Sequence, residues 1–268
     1  MLFDDSTSLT PAGNGRFDWA VTADWDQGLG AYGGLVAGGA ARAAELSEPD
    51  PDRVLRTLSL HLGVPLPIGP ATVVVDPLRV GSGLSMWSVT LRDASDGLAA
   101  HAVAVMGRSR AADLDEVAAG WGTVDTPELP RWDDLEPLVL PIPPAPPFTR
   151  HVDFRLAEGP PLSGQPARST GYVRFHDQGS WDAASLLGIA DAWWVTAMTT
   201  LTTLRPMPTV TFKAQLLVDP GTIPAGEPLA YEGFMSAAHQ GFTSETRRLW
   251  TLDGRLAVEN LQTVAAVK

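Results

Sequence analysis

The chain has 268 residues, no cysteine and a formal net charge of −12 at pH 7. This length fits one large domain or two smaller ones, and the 44% of hydrophobic residues are enough to build a core. The lack of cysteine excludes disulfides, thiolate zinc sites and a cysteine nucleophile. The negative charge argues against binding to nucleic acid or to anionic membranes, because both require clustered basic residues.

The N-terminal sequence does not resemble a secretory signal peptide, because Asp4 and Asp5 stand near its start. The longest weakly polar stretch, residues 28–46, consists mostly of glycine and alanine and contains Arg42. It is a poor candidate for a membrane span. We therefore expect a cytoplasmic protein.

Each half of the chain predicts a helix followed by an antiparallel sheet. In the first half, the glycine- and alanine-rich residues 32–46 form the predicted helix, and four strand-like segments follow. In the second half, the apolar residues 182–204 precede a similar series of strands. Asp-Gly hairpin turns at residues 96–97 and 253–254 stand at corresponding places in the two series. This similarity indicates an internal duplication.

A proline-rich stretch separates the two halves. Eight prolines lie from Pro127 to Pro147, and such a run is unable to form a helix or a central strand. We predict an N-terminal repeat over residues 1–125, a linker over 126–147 and a C-terminal repeat over 148–268.

The predicted second helix is apolar on all sides. Of the 22 residues from Ala183 to Leu204, only Asp191 is charged. Such a helix must be buried on all sides, which in an α+β protein implies that a curved antiparallel sheet wraps around it. We therefore predict two helix-in-sheet units that lie side by side.

Asp191 is the first candidate functional residue. Its neighbours one helical turn away are Leu187, Gly188, Trp194 and Val195, so the predicted helix offers it no basic partner. Burial raises the pKa of a carboxylate in such surroundings and suits it to act as a general base. Alternatively, Asp191 faces water at a gap in the packing or caps a helix that starts later.

Other motifs in the sequence carry no clear chemistry. Gly28, Gly30 and Gly33 match the dinucleotide-binding fingerprint, but no buried strand precedes them and no βαβ alternation follows. The five histidines lack the spacing of a metal site, and neither a Gly-x-Ser-x-Gly motif nor a P-loop is present. We therefore expect no metal and no organic cofactor.

Three segments of the second half resemble the type II (medium- and long-chain) acyl-CoA thioesterases. They are GIADAWW with Asp191, MPTVTFKAQLL with Thr209 and LAVENLQTVAAV with Gln262, and AYGGLVAGGAARAA in the first half resembles the Gly-Gly helix start of the same family. The resemblance implies a double hotdog fold, which consists of two fused repeats of a helix wrapped by an antiparallel sheet. It also implies hydrolysis of acyl-CoA to a free acid and coenzyme A, and a role in fatty acid metabolism.

The resemblance suggests a role for each candidate site residue. Asp191 would act as the general base, while Thr209 and Gln262 would orient the attacking water. Backbone N–H groups near Gly33 and Gly34 would polarise the thioester carbonyl, because helix N-termini favour negative charge.

Two features of the second half are not decided by the sequence, namely which tryptophan lines the acyl pocket and whether Thr209 faces the site. Trp194 or the adjacent Trp193 would line an acyl pocket while the other packs on the sheet. Strand alternation places Thr209 outward with Lys213 and Gln215, so its role requires that the strand begin at the subunit groove.

Only the second half carries the full polar set. We predict that Gly33, Thr57 and Val105 occupy the corresponding positions of the first half. Two alternatives to hydrolysis remain open, namely a hydratase or dehydratase acting on an acyl thioester and a non-catalytic acyl-thioester binding protein. We also expect a homo-oligomer, because sheets of this kind expose faces and edges that pair.

Overall fold

Helices and strands cover most of the described chain. The computed structural model describes residues 2–110, 124–141 and 145–267. Its α-helices are α1 (Phe3–Ser6), α2 (Gly33–Ser47) and α3 (Ala183–Ala190). Its strands are β1 (Thr10–Gly13), β2 (Arg16–Val21), β3 (Val54–Leu62), β4 (Gly69–Val80), β5 (Leu84–Asp93), β6 (Leu98–Gly107), β7 (Pro137–Leu138), β8 (Val152–Glu158), β9 (Arg168–Phe175), β10 (Thr209–Leu216), β11 (Leu229–His239), β12 (Phe242–Trp250) and β13 (Leu256–Ala265).

The thirteen strands form one antiparallel sheet in the order β1-β2-β4-β5-β6-β3-β10-β13-β12-β11-β9-β8-β7. The two halves of the chain meet at its centre, where β3 pairs with β10. Helices α2 and α3 pack against each other, and each contacts strands of its own half. The sheet therefore wraps two central helices, as the sequence predicts.

Small residues allow α2 to lie close to its neighbours. A Cβ atom added at Gly38 or Gly39 would come within 2.8 Å of the ring of Phe3 or Trp19, respectively. The prediction of this helix from its glycine and alanine content is confirmed, with boundaries shifted by one residue. No helix within the described ranges is long and apolar enough to cross a membrane.

The second helix is shorter than the sequence predicts. Helix α3 begins at a capping box formed by Asp182 and Ser185 and ends at Ala190, whereas the apolar pattern predicts a helix over 183–204. An irregular turn follows, and then a 3₁₀-helix over Thr196–Thr200. The backbone N–H of Thr196 donates a hydrogen bond to the Glu245 carboxylate, which lies on β12, instead of to a helical carbonyl. A continuous α-helix would need that N–H for the carbonyl four residues earlier, so this contact is incompatible with the predicted helix at Thr196.

The described part of the proline-rich stretch packs against the edge of the sheet. Strand β7 pairs with β8, and the ring of Trp132 lies beneath the guanidinium groups of Arg155 and Arg174, at 4.3 and 4.8 Å. Residues 142–144 of the predicted linker lie outside the described residues. We propose the same division of the chain, with a linker over 126–147.

The central strands β3 and β10 carry bulges at corresponding places. The bulge lies between Leu55 and Thr57 in β3, and between Thr209 and Thr211 in β10. When the two repeats are aligned at these bulges, Leu55 of the first repeat corresponds to Thr209 of the second. The predicted correspondence of Thr57 with Thr209 is therefore wrong, because the aligned bulges give Thr57 the position of Thr211 instead.

The same register corrects the counterpart of Gln262. Gln262 pairs with Phe212 just beyond the bulge of β10, and Ala104 pairs with Leu58 just beyond the bulge of β3. Ala104, and not the predicted Val105, is therefore the counterpart of Gln262. The first repeat has apolar residues at both of these positions.

Candidate active site

Asp191 caps the C-terminal end of α3, and its side chain is only 9% exposed. Gln262 of β13 donates a hydrogen bond from Nε2 to Asp191 Oδ1 at 2.9 Å. Thr209 of β10 donates one from Oγ1 to Gln262 Oε1, also at 2.9 Å. The structure therefore brings the three predicted catalytic residues into one hydrogen-bonded chain.

The bulge in β10 explains why Thr209 faces inward. Phe212 points into the core, and simple alternation from it would turn Thr209 to the outer face. The extra residue at Val210 reverses this alternation, and Thr209 pairs with the fully buried Val264. Because paired residues share a face, Thr209 lies on the same inner face as Gln262. The predicted outward position of Thr209 is therefore wrong.

Gln262 holds its amide in one orientation. Besides its bond to Asp191, Nε2 donates to Asn260 Oδ1 at 2.9 Å. Asn260 in turn donates from Nδ2 to the carbonyl of Lys213 at 3.0 Å. Both amide protons of Gln262 are thus used by neighbouring side chains, and its carboxamide presents a fixed donor to Asp191.

The N-terminus of α2 lies against the carboxylate of Asp191. A Cβ atom added at Gly33 would come within 2.5 Å of Asp191 Oδ2, so only glycine allows this approach. The backbone N–H of Gly34 hydrogen-bonds to the carboxylate, while that of Gly33 donates to Oε1 of the exposed Gln27 at 3.1 Å. Gly33 begins α2 whereas Asp191 follows α3, so the prediction that the two are counterparts is wrong.

Several neighbours act on the pKa of Asp191 in opposite directions. Burial raises it, and this is the largest effect. The Arg247 guanidinium, the Gln262 amide and the Gly34 N–H lower the pKa, whereas the Glu245 carboxylate raises it. On balance, the pKa of Asp191 lies above the usual range of an aspartate.

Arg247 and Glu245 lie beside Asp191, a placement that the sequence reasoning missed. Arg247 Nη1 lies 3.3 Å from Asp191 Oδ1, so Asp191 has a basic partner, although its own helix offers none. The partner comes from β12 and is distant in sequence, where helical spacing gives no information. The strand pattern carried no signal either, because Glu245 and Arg247 alternate with Thr246 and Arg248, which are also polar, so the pattern did not show which face points inward.

The two adjacent tryptophans after α3 differ in their surroundings. Trp193 is buried in the core, donates from Nε1 to Ser169 Oγ at 2.8 Å and stacks on Tyr231. Trp194 is only partly buried and lies beside Trp193 and Phe154. Of the two, Trp194 is therefore better placed to contact a ligand.

Within the described ranges, no group of three or more His, Asp or Glu side chains is arranged to hold a metal ion. The arrangement at Asp191 instead combines a buried carboxylate with amide and guanidinium donors and a helix N-terminus. Such a set suits proton transfer and the stabilisation of negative charge.

Comparison with known proteins identifies the family of this chain. The family model described as the acyl-CoA thioesterase N-terminal domain matches residues 21–107, and the one described as the acyl-CoA thioesterase C-terminal domain matches residues 122–266. The second match alone spans more than half of the chain. The chain therefore belongs to the acyl-CoA thioesterase family and is a thioester hydrolase.

Solved structures agree on the fold. A conserved hot dog fold protein from Alicyclobacillus acidocaldarius is 24% identical, with a TM-score of 0.88 over 99% of this chain and 98% of that chain. An acyl-CoA thioesterase II from Mycobacterium marinum is 16% identical, with a TM-score of 0.77 over 99% of this chain and 98% of that chain. These matches confirm the predicted α+β double hotdog. A comparison with curated proteins finds no significant match.

Proposed function

We propose that the protein hydrolyses acyl-CoA by activating a water molecule with Asp191 as general base. The observation that carries this proposal is the buried chain Thr209–Gln262–Asp191, which ends at the N-terminus of α2. Gln262 and Arg247 both act on Oδ1, so Oδ2 is the oxygen that accepts the proton of the water. Burial, which raises the pKa of Asp191, makes it a stronger base than an exposed aspartate.

The geometry favours a revised role for Thr209 and Gln262. Both amide protons of Gln262 are used by Asp191 and Asn260, so Gln262 orients the carboxylate instead of the water. Thr209 fixes the amide, because its hydroxyl donates to Oε1 and leaves Nε2 directed at Asp191. Both are positioning residues in this mechanism.

In the proposed reaction, the water loses a proton to Asp191 Oδ2 as its oxygen bonds to the thioester carbon. The carbonyl oxygen becomes negatively charged and is stabilised at the N-terminus of α2, where it replaces Gln27 as acceptor of the Gly33 N–H. The carbon–sulfur bond then breaks, and the coenzyme A thiolate leaves. The proton held by Asp191 passes to the thiolate, which yields a free acid and coenzyme A.

We extend the proposal to the surroundings of the reaction. The acyl chain contacts Trp194, the more exposed of the two tryptophans after α3. The protein acts in fatty acid metabolism in the cytoplasm, as a homo-oligomer. Its substrate class supports the metabolic role, and its acidic, cysteine-free sequence supports the cytoplasmic location. A sheet that ends in the edge strands β1 and β7 supports the homo-oligomer.

Thiol release from a panel of acyl-CoAs of increasing chain length tests the function. Because the chain has no cysteine, a thiol reagent detects only released coenzyme A. We expect multiple-turnover release with at least one chain length. Tight binding of acyl-CoA without release would instead favour a binding protein, and loss of enoyl-CoA absorbance without thiol release would favour a hydratase.

A further inference from the structure

Arg247 and Glu245 form a buried ion pair beside Asp191. The Arg247 side chain is 2% exposed and that of Glu245 is fully buried. Arg247 donates from Nε to Glu245 Oε1 at 2.7 Å, and its Nη1 lies 3.3 Å from Asp191 Oδ1. The Arg247 guanidinium therefore interacts with two carboxylates, those of Glu245 and Asp191.

The pair is anchored on both sides. Glu245 Oε2 accepts the backbone N–H of Thr196 at 2.6 Å, just after the turn that carries Asp191. Arg247 Nη1 also lies 3.4 Å from the carbonyl of Ala190, the last residue of α3. Burying charges is costly unless they are paired, so an ion pair at this place needs an explanation beyond stability.

We propose that Arg247 is a positioning residue that keeps Asp191 ionised and that Glu245 limits its effect. This inference rests on the proposed role of Asp191 as general base. A buried aspartate alone would hold a proton and be inactive as a base near neutral pH. An aspartate paired only with an arginine would have a lowered pKa and be too weak a base. When the guanidinium is shared with Glu245, Asp191 stays ionised and remains basic enough to accept a proton.

The other titratable groups near Asp191 carry no charge in this pH range. Tyr32, which precedes α2, and Tyr231 of β11 both face the site, and burial raises the pKa of each above that of an exposed tyrosine. Both therefore stay neutral. Among the described residues, Arg247 and Glu245 are the charged groups that act on Asp191.

The pH dependence of kcat/KM tests this inference, because the base must be ionised. In Arg247→Gln the cation that stabilises the Asp191 carboxylate is lost. We expect the acidic limb of the kcat/KM profile to move about one pH unit or more to higher pH. In Glu245→Gln the guanidinium acts on Asp191 alone, and the limb moves to lower pH. Arg247→Lys keeps the charge and restores a limb close to that of the native protein.

Two further variants distinguish the expected pH shift from misfolding and from non-specific effects of removing a charge. Arg247→Gln combined with Glu245→Gln removes both charges of the ion pair, so Glu245 is not left as an unpaired buried carboxylate. The acidic limb of the kcat/KM profile still moves to higher pH, because Arg247 has the larger effect on Asp191. Arg248→Gln is the matched control, since Arg248 neighbours Arg247 on the opposite face of β12 and pairs with Glu259 at 2.8 Å. We expect no change in its limb.

The outcomes separate this inference from the proposed function. If Asp191→Asn loses its rate but the Arg247 and Glu245 variants lower activity equally at every pH, Arg247 is merely structural and only the inference is wrong. If Asp191→Asn keeps the native rate, the general-base role is wrong and the inference is overturned with it. Shifts of opposite sign in the two single variants support both.

Discussion

We expect Asp191→Asn to lower kcat about 10²–10⁴-fold, which is the usual contribution of a general base. Asparagine has nearly the same shape, and its Oδ1 still accepts the hydrogen bond from Gln262 Nε2. The substitution removes the basic oxygen that faces Gly33 but retains the packing around α3. Thiol release at saturating acyl-CoA measures the effect.

Asp153→Asn is the matched control for this variant. Asp153 is also a buried carboxylate, and it forms ion pairs with Arg174 and Arg155 at the edge of the sheet. We expect its loss to lower thermal stability and to leave kcat within about two-fold of native, because Asp153 is not among the groups that act on Asp191. Equal kcat values for native protein and Asp191→Asn would remove Asp191 from the mechanism.

Gly33→Ala should lower kcat/KM about 100-fold, which is the effect expected when a catalytic group moves by about 1 Å. The new Cβ atom would lie 2.5 Å from Asp191 Oδ2, well inside contact distance, so the carboxylate must shift away from the N-terminus of α2. Alanine favours helix formation, so we expect α2 to remain folded. Thiol release and thermal unfolding of the same preparation separate the two effects.

Gly179→Ala provides the control for this substitution. A Cβ atom at Gly179 would meet no other atom within 4 Å, so we expect native activity. Native activity in Gly33→Ala, at unchanged stability, would show that the carboxylate does not need to approach α2 this closely.

Local patterns in the sequence predicted the architecture well. The glycine and alanine content predicted α2, and the Asp-Gly turns predicted hairpins in which Asp96 and Gly254 adopt positive φ. These features depend on neighbouring residues alone, so one sequence is enough to reveal them. The family resemblance added the fold class and the three candidate catalytic residues.

Contacts between distant segments could not be predicted in the same way. The absence of α-helix at Thr196 accompanies a hydrogen bond from its backbone N–H to Glu245, which lies on a strand distant in sequence. The inward position of Thr209 depends on a bulge that alternation does not reveal. Arg247 reaches Asp191 from a strand that is distant in sequence, and helical spacing gives no information on such a partner.

A single turnover in ¹⁸O-labelled water tests the role of Asp191 most directly. If Asp191 activates water, the label enters the released carboxylic acid during the first turnover, and the peptide that contains Asp191 keeps its natural mass. If Asp191 instead attacks the thioester and forms an anhydride, water that then opens the anhydride at the aspartyl carbon leaves the label in that peptide. Mass spectrometry of both products distinguishes the results, and label in the Asp191 peptide would contradict the proposed mechanism.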